Sequence, residues 1–360
     1  MIYFIIFSFL VIFGTIECIY PDMKNKKYVF YSLFVVLWLF AALRWETGTD
    51  WLPYYKYFKQ PSSTDLFEIG FKWLNLATRA IFDSYTFFLL VFVGLYYYFL
   101  QKAIRDTTPF IFVALLFFVA FTGVFPVRQS LAIVIVFCSY KTIVERKMWN
   151  FFAYVLLAAL FHQTAIVFLP VYFIVNKRFS SGFLWVVFIV ASILSMLQMQ
   201  NIVANFIVNN FEYPGAVWYE KIQLYASYEY PPVPIKRHLV SIVNSLLFFT
   251  LFMAYRKKLS EKFLSYNVLL NIYTIGLFLN RLFANESFGL KRIAAYFDFA
   301  MFILLSLIIC SLSQRNRFVI FPLLAAYCVL RYYESFTTYW DLYFPYISIF
   351  EKGNITRILY

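Results

Sequence analysis

The chain has 360 residues, of which 63% are hydrophobic, 24% aromatic and only 14% charged. A soluble domain of this size needs more charge to cover its core, so the composition excludes an ordinary globular protein. A helical span needs about 20 mostly apolar residues, and such runs recur along the chain. We therefore predict an all-α polytopic membrane protein. The net charge of +13 lies mainly in short loops, which is typical of contact with membrane lipid rather than with nucleic acid.

Ten apolar runs are predicted to cross the membrane. The sequence has no internal repeat and no Gly/Ser linker, so we expect residues 1–360 to form a single integral membrane domain. The predicted spans cover residues 2–20, 28–43, 85–100, 109–124, 127–144, 183–198, 239–255, 263–283, 293–312 and 318–333.

Short basic loops orient these spans. Lys and Arg in excess mark the cytoplasmic side, which predicts both termini outside, with external loops near residues 44–84 and 201–235 and an external tail at 334–360. The basic loops lie at residues 24–27, 102–105, 145–147, 176–178, 256–258 and 315–317.

Successive loops should lie on opposite sides of the membrane, but residues 149–175 do not fit this pattern, because predicted cytoplasmic loops flank the segment at both ends. It is too short for two crossings of a 30 Å core, but long enough for two half-spans of roughly 20 Å each. We expect a broken or re-entrant helical hairpin, 149–161 and 163–175, with His162 near its apex. The alternative is one kinked helix with a cationic pair outside.

The loop that follows the second span combines charge, glycine and tryptophan. Arg44 and Asp50 flank Gly48, and an arginine beside a carboxylate at a membrane interface suits an anionic ligand. A snorkelling arginine and a helix-capping aspartate explain the same pair, and are the better explanation of the loop taken alone. Glu68 is a further external carboxylate, for which helix capping is the alternative.

Two further residues are candidates for chemistry. Arg128 begins a span on the external side, where its guanidinium suits bidentate capture of a pyrophosphate, or simply contacts lipid phosphate. His162 lies in an apolar stretch beside a predicted break, and a histidine that titrates near neutrality could serve as a general base. A lone histidine on an apolar face is otherwise a core residue.

External cations later in the chain also need a reason. Arg237, Lys291 and Arg292 lie at predicted external ends of spans, where an anionic ligand would account for them unless the topology is inverted there. Asp298 is expected to make a helix–helix contact. Two distant histidines and four scattered cysteines predict no metal site and no cofactor.

Several stretches resemble the EpsG family of bacterial exopolysaccharide proteins in sequence, order and spacing. Together they cover nearly the full length of the chain. One departure is Val127, where an aromatic residue would be expected before Arg128. The stretches are Arg44-Trp45-Glu46-Thr47-Gly48-Thr49-Asp50-Trp51 with Tyr54-Tyr55, Phe67-Glu68-Ile69-Gly70, Val127-Arg128-Gln129-Ser130-Leu131-Ala132, Ala158-Ala159-Leu160-Phe161-His162-Gln163-Thr164-Ala165 and Lys291-Arg292-Ile293-Ala294-Ala295-Tyr296-Phe297.

The resemblance implies a Wzy-like polymerase, which joins lipid-linked oligosaccharide repeat units on the external face of the bacterial cytoplasmic membrane, and by analogy a GT-C-like helix bundle. The expected partners are a polyprenyl-pyrophosphate-linked oligosaccharide, membrane lipid and a chain-length regulator. In this scheme Arg128 and Arg292 would neutralise the departing pyrophosphate. His162 or Asp50 would take the acceptor proton, and Trp45 and Trp51 would offer flat faces to sugar rings.

Three other functions use similar residues. A lipid-linked saccharide transporter would use the same cations without chemistry, but should show pseudo-symmetric halves. An O-acyltransferase would use His162 as a base and would need access to the cytoplasm. A polysaccharide ligase has nearly the same chemistry as a polymerase, and composition does not separate the two.

Overall fold

The computed structural model describes residues 2–61, 67–197, 206, 209–210, 234–283 and 288–351. Its regular elements there are helices, and the only bridge between extended residues joins Arg44 to Ser348 in the part of the chain described. The prediction of an all-helical fold is confirmed.

Each of the ten predicted spans coincides with a helix or with a pair of short helices. The α-helices are α1 (Ile2–Ile19), α2 (Lys26–Ala42), α3 (Trp51–Lys59), α4 (Ile69–Ile81), α5 (Tyr85–Thr107), α6 (Ile111–Thr122), α7 (Arg128–Val144), α8 (Met148–Ala159), α9 (Val171–Ile174), α10 (Ser181–Met196), α11 (Ile235–Lys262), α12 (Tyr266–Leu282), α13 (Phe288–Ala294), α14 (Phe299–Ser311), α15 (Gln314–Thr337) and α16 (Trp340–Tyr343). Two 3₁₀ segments cover Gln163–Phe168 and Ile349–Glu351.

Within the described ranges, five helices are long and apolar enough to cross a membrane: Ile2–Ile19, Tyr85–Thr107, Ile235–Lys262, Lys291–Ser311 and Gln314–Thr337. Shorter apolar helices cover Ile111–Thr122, Met148–Ala159, Gln163–Ile174 and Ser181–Met196. These helices indicate a multi-pass membrane protein. The total of ten crossings, and the GT-C-like arrangement, stay predictions.

The segment 149–175 is interrupted. Helix α8 ends at Ala159, residues 160–162 are not helical, and the chain continues as the 3₁₀ segment Gln163–Phe168 and the short helix α9. One continuous kinked helix is therefore excluded, and the predicted break falls where His162 was expected. The path of the second arm stays a prediction.

The chain divides into two compact units. Unit 1 consists of Met1–Thr142, Trp149–Ile166 and Leu305–Tyr360, and unit 2 of Ile143–Met148 and Val167–Leu304. The single membrane domain expected from sequence stays a prediction, and each unit has its own core.

Helix α6 is the centre of unit 1. Its residues from Ile111 to Ala120 are all buried, with at most 6% of any side chain exposed. A helix that is apolar on every side must be enclosed by other helices, and α1 and α15 pack against it. This central position explains why its sequence shows no polar face.

One end of unit 1 gathers three of the basic loops. The Lys26 ammonium donates to the Pro109 carbonyl at 2.8 Å. The Arg317 guanidinium donates to the Cys18 carbonyl at 3.4 Å and lies 4.8 Å from the Phe110 ring. Lys26, Pro109 and Arg317 therefore lie side by side at this end, as the predicted topology requires, although the predicted loops 102–105 and 315–317 lie inside helices α5 and α15. That this end faces the cytoplasm stays a prediction.

Unit 2 repeats this grouping within itself. The Asn271 amide donates to the carbonyls of Val175 and Lys177 at 2.8 and 2.9 Å. The Arg256 guanidinium donates to the Phe179 carbonyl at 2.6 Å and to the Ser181 hydroxyl at 3.1 Å. Residues 176–178 and 256–258, both predicted as cytoplasmic loops, thus meet near the point where α11 ends and α12 begins, although 256–258 lies inside α11.

A buried ion pair secures the basic end of unit 1, and its removal tests the packing there. The Glu17 carboxylate lies 2.7 Å from the Lys26 ammonium and accepts the backbone N–H groups of Phe112 and Val113 at 2.9 Å. Replacing Glu17 by Gln leaves Lys26 without its counter-charge, and breaking a buried pair costs about 3 kcal/mol. We expect a clearly lower thermal unfolding temperature in detergent for Glu17→Gln than for wild type. Lys24→Gln, at an exposed lysine of the same loop, is the control, and equal stability of the two variants would contradict the assignment.

Candidate functional site

The loop after α2 is held by the tail of the chain. The Trp45 N–H donates to the Ile347 carbonyl at 2.8 Å, and the Gly48 N–H donates to the Leu342 carbonyl at 2.9 Å. Gly48 has a φ of 100°, a left-handed conformation that favours glycine. The Tyr346 hydroxyl donates to the Phe40 carbonyl at 2.9 Å. The tail therefore builds the loop, although sequence analysis had no pattern from which to predict this pairing.

Arg44 is enclosed where the loop meets the tail. The residue is only 2% exposed, and its guanidinium carbon lies 4.7 Å from the Phe125 ring. One terminal nitrogen donates to the Ala41 carbonyl at 3.2 Å, while Nε has no hydrogen-bond partner. Burial raises the pKa of Tyr346 to about 12, and the charge of Arg44 opposes that shift. Arg44 is thus buried inside protein and does not reach for solvent as a snorkelling arginine would.

Three of the predicted site residues are joined through Tyr54. The Tyr54 hydroxyl donates to the Asp50 carboxylate at 3.0 Å and accepts the backbone N–H of Arg128 at 2.8 Å. The Arg128 guanidinium forms an ion pair with Glu68 and lies 4.4 Å from the Phe67 ring. Tyr54 of α3, Arg128 of α7 and the residues that precede α3 and α4 thereby form one connected polar cluster, Asp50–Tyr54–Arg128–Glu68.

Tyr54 is a structural donor in this cluster. It is 2% exposed, and burial together with the negative charge of Asp50 holds its pKa well above the usual range, while Arg128 acts in the opposite direction. The phenol therefore keeps its proton at neutral pH and donates it in the bond to Asp50. Nothing in the sequence predicted this hydrogen-bonding role of Tyr54, which lies in one of the stretches that resemble the EpsG family.

The two tryptophans form the apolar core of the loop. Trp51 is 2% exposed and Trp45 8%. Their rings meet edge to face with centroids 4.8 Å apart, and Trp51 stacks on Tyr55 at 5.0 Å. Most of each indole face is therefore covered by other rings, and little is open to a sugar in this conformation.

His162 lies in the break after α8, in the same unit as Arg128. Its Nδ1 is 2.6 Å from the Thr164 hydroxyl. Two residues earlier, the Leu160 carbonyl accepts the Gly70 N–H at 2.8 Å, which joins the break to the first turn of α4. Glu68 immediately precedes that helix, so the backbone places the break beside the Arg128 cluster.

The remaining predicted cations belong to unit 2. Arg237, Lys291 and Arg292 are exposed there, so the cluster around Arg128 is built from unit 1 alone. Asp298 was expected to make a helix–helix contact, but it lies in the turn between α13 and α14, from which its carboxylate accepts from the Asn280 amide of α12 at 2.9 Å.

Sequence analysis missed Arg281, which is 4% exposed in α12. Its guanidinium donates to the Ser241 hydroxyl at 3.0 Å and to the Ser245 hydroxyl at 2.5 Å, both on α11. The available signal was an arginine inside an apolar run, which is a functional candidate by default. Here its hydrogen bonds join two helices.

Comparison with known proteins gives one match. The model of a family described as EpsG family matches residues 27–348. The chain belongs to the EpsG family. Searches of curated proteins and of solved structures found no match. The matched range covers every stretch on which the resemblance rested, and Asp50, Glu68, Arg128 and His162 lie within it.

The close contact between α4 and Leu160 is testable in this EpsG-family protein. A Cβ at Gly70 would lie 2.7 Å from the Leu160 carbonyl oxygen and 2.9 Å from its Cβ. We expect Gly70→Ala to destabilise the protein by about 1–3 kcal/mol, because the break must move away from α4. Gly182→Ala is the matched control, because a Cβ there meets nothing within 4 Å. Thermal unfolding in detergent compares the two, and equal unfolding temperatures would show that the contact is not needed.

Removing the Tyr54 hydroxyl tests the cluster. Tyr54→Phe leaves the buried N–H of Arg128 unsatisfied and frees Asp50, which we expect to cost about 1–3 kcal/mol. Tyr98→Phe, at a side chain that is 56% exposed, should leave the unfolding temperature unchanged. Equal behaviour of the two variants would remove Tyr54 from its organising role.

Proposed function

We propose that this EpsG-family protein is a Wzy-like polymerase of the bacterial cytoplasmic membrane. It would join polyprenyl-pyrophosphate-linked oligosaccharide repeat units on the external face. An acceptor hydroxyl attacks the anomeric carbon of the donor, the bond from that carbon to the pyrophosphate oxygen breaks, and a base takes the hydroxyl proton. Family membership supports a role in exopolysaccharide formation, and the Arg128 cluster is the observation that carries the proposal.

Arg128 is suited to the leaving group. Its side chain is 20% exposed, and its backbone is fixed by Tyr54 while its guanidinium packs on Phe67. Its Nε has no hydrogen-bond partner, whereas a terminal nitrogen is engaged by Glu68. A guanidinium held in this way can donate to a pyrophosphate oxygen and offset the negative charge that develops on the departing pyrophosphate.

Two groups can receive the acceptor proton. The Asp50 carboxylate is oriented by the Tyr54 hydroxyl through one oxygen and is half-buried, which leaves its other oxygen for the acceptor. The imidazole of His162 is oriented by Thr164, and histidine ordinarily titrates near neutrality. Either group fulfils the requirement of a general base that lies within hydrogen-bond reach of the hydroxyl.

The other candidate residues take supporting roles in this proposal. Arg44, Trp45 and Trp51 are buried and hold the loop in shape, so they position the cluster. Glu68 compensates the charge of Arg128 when no ligand is bound. Arg237, Lys291 and Arg292 are exposed cations of unit 2 that can attract an anionic donor or membrane lipid.

Chain extension in cells tests the proposal. A strain lacking the gene is supplied with wild type, Arg128→Ala, Arg128→Lys, Asp50→Asn, His162→Ala or the control Arg79→Ala, which removes an arginine paired with Asp83 on α4. We expect wild type and the Arg79→Ala control, whose arginine lies on α4, to restore a polymer ladder. Arg128→Ala should reduce polymer by about 100-fold, because the charge on the leaving group is no longer offset. Of Asp50→Asn and His162→Ala, the variant that loses the ladder identifies the base.

The accumulated intermediate separates the alternatives. Single lipid-linked repeats on the external face support a polymerase. Repeats on the cytoplasmic face indicate a transporter, finished polymer that stays on its lipid indicates a ligase, and a normal ladder lacking acyl groups indicates an acyltransferase. A normal ladder from Arg128→Ala, with the protein present in the membrane, would contradict the assignment of that residue.

A further inference from the structure

A cavity lies at the basic end of unit 1, away from the Arg128 cluster. It has a volume of about 340 Å³ and is lined by Lys26, Lys27, Arg105, Asp106, Thr108 and Pro109. Helix α2 begins at this cavity and ends beside Arg44, so its 17 residues separate the two places by about 25 Å. The cavity therefore belongs to a different part of unit 1 from the proposed site.

Two of the charged groups in the cavity are already balanced. Asp106 pairs with Lys102 at 2.7 Å and with Lys141 at 3.5 Å. Lys26 pairs with Glu17 at 2.7 Å and donates to the carbonyls of Pro21 and Pro109. These groups form the wall of the cavity and have little capacity left for a ligand.

Lys27 and Arg105 are the cations that remain. Neither has a carboxylate within ion-pair distance in the part of the chain described. The Arg105 guanidinium lies 5.1 Å from the Tyr31 ring, and its Nε is buried without a hydrogen-bond partner. A buried donor without an acceptor is costly, and the charge of Arg105 has no carboxylate partner to offset it in the part of the chain described.

The general excess of lysine and arginine on the predicted cytoplasmic side does not account for the placement of Arg105 and Lys27 at this cavity. Lys24 and Lys257 satisfy the positive-inside bias as exposed side chains in water. Arg105 is half-buried, is held over an aromatic ring and lines a cavity of ligand size. Its planar guanidinium and the mobile ammonium of Lys27 form a pair typical of phosphate recognition.

We propose that Arg105 and Lys27 bind a phosphate group in this cavity. The ligand is a phosphate ester, carried either by the headgroup of an anionic phospholipid or by a small soluble molecule. Arg105 provides directed N–H donors, Lys27 adds charge at the rim, and the balanced pair of Lys26 and Glu17 holds the start of α2 in place.

Binding to the purified full-length protein tests this proposal. Detergent-solubilised protein is titrated with mixed micelles containing phosphatidylglycerol, with mixed micelles containing phosphatidylcholine, and with inorganic pyrophosphate, and thermal unfolding follows binding. The variants are Lys27→Ala, Arg105→Ala, Arg105→Lys and the double variant Lys27→Ala/Arg105→Ala. Lys24→Ala is the matched control, since it removes an exposed lysine of the same loop that does not line the cavity.

The expected result is stabilisation of wild type and of Lys24→Ala by phosphatidylglycerol or by pyrophosphate, but not by phosphatidylcholine. The double variant should require at least about tenfold more ligand, because two charged donors are lost. Lys27→Ala removes an exposed side chain, so it reports on binding even if Arg105→Ala fails to fold. Stabilisation by phosphatidylglycerol alone identifies a lipid headgroup, and stabilisation by pyrophosphate identifies a soluble ligand. Equal responses of Lys27→Ala, Arg105→Lys and the Lys24→Ala control would overturn the proposal.

Discussion

Charged groups in an apolar bundle must find partners within the protein, and this constraint organises unit 1. At one end, Glu17 neutralises Lys26 and accepts two N–H groups at the start of α6. At the other end, Glu68 neutralises Arg128. Each carboxylate links helices that are distant in sequence, so the pairing of charge also fixes how the helices are arranged.

The Tyr54 hydroxyl shows how the candidate site depends on the same constraint. A single buried oxygen accepts from the backbone of Arg128 and donates to Asp50. Because the phenol stays protonated, it fixes the direction of both bonds. The short helix α3 therefore connects the loop to the first turn of α7. Asp50 and Arg128, two charged residues of the proposed chemistry, are both held by Tyr54 of this helix.

The sequence predicted the elements well because hydropathy and charge act locally. Apolar runs marked the helices, and basic loops marked residues that meet at one end of each unit, as the contacts of Lys26 and Asn271 show. The break at His162 was predictable because basic loops flanked a segment of unsuitable length. The pairing of Trp45 with Ile347 was not, because backbone hydrogen bonds between residues 302 positions apart leave no local pattern. The burial of Arg44 was missed for the same reason, since its covering rings come from distant segments.

Helix length also explains why the number of crossings does not follow from apolar runs alone. Helix α6 has 12 residues and is about 18 Å long, shorter than the 30 Å hydrocarbon core of a bilayer. A helix that faces lipid must match that thickness or distort the bilayer. Helix α6 is buried from Ile111 to Ala120, so protein rather than lipid surrounds most of its length. Its C-terminal end leads through Gly123 to Phe125, which covers Arg44, and on to Arg128. A short central helix thus leaves room within unit 1 for the loop that carries the candidate site.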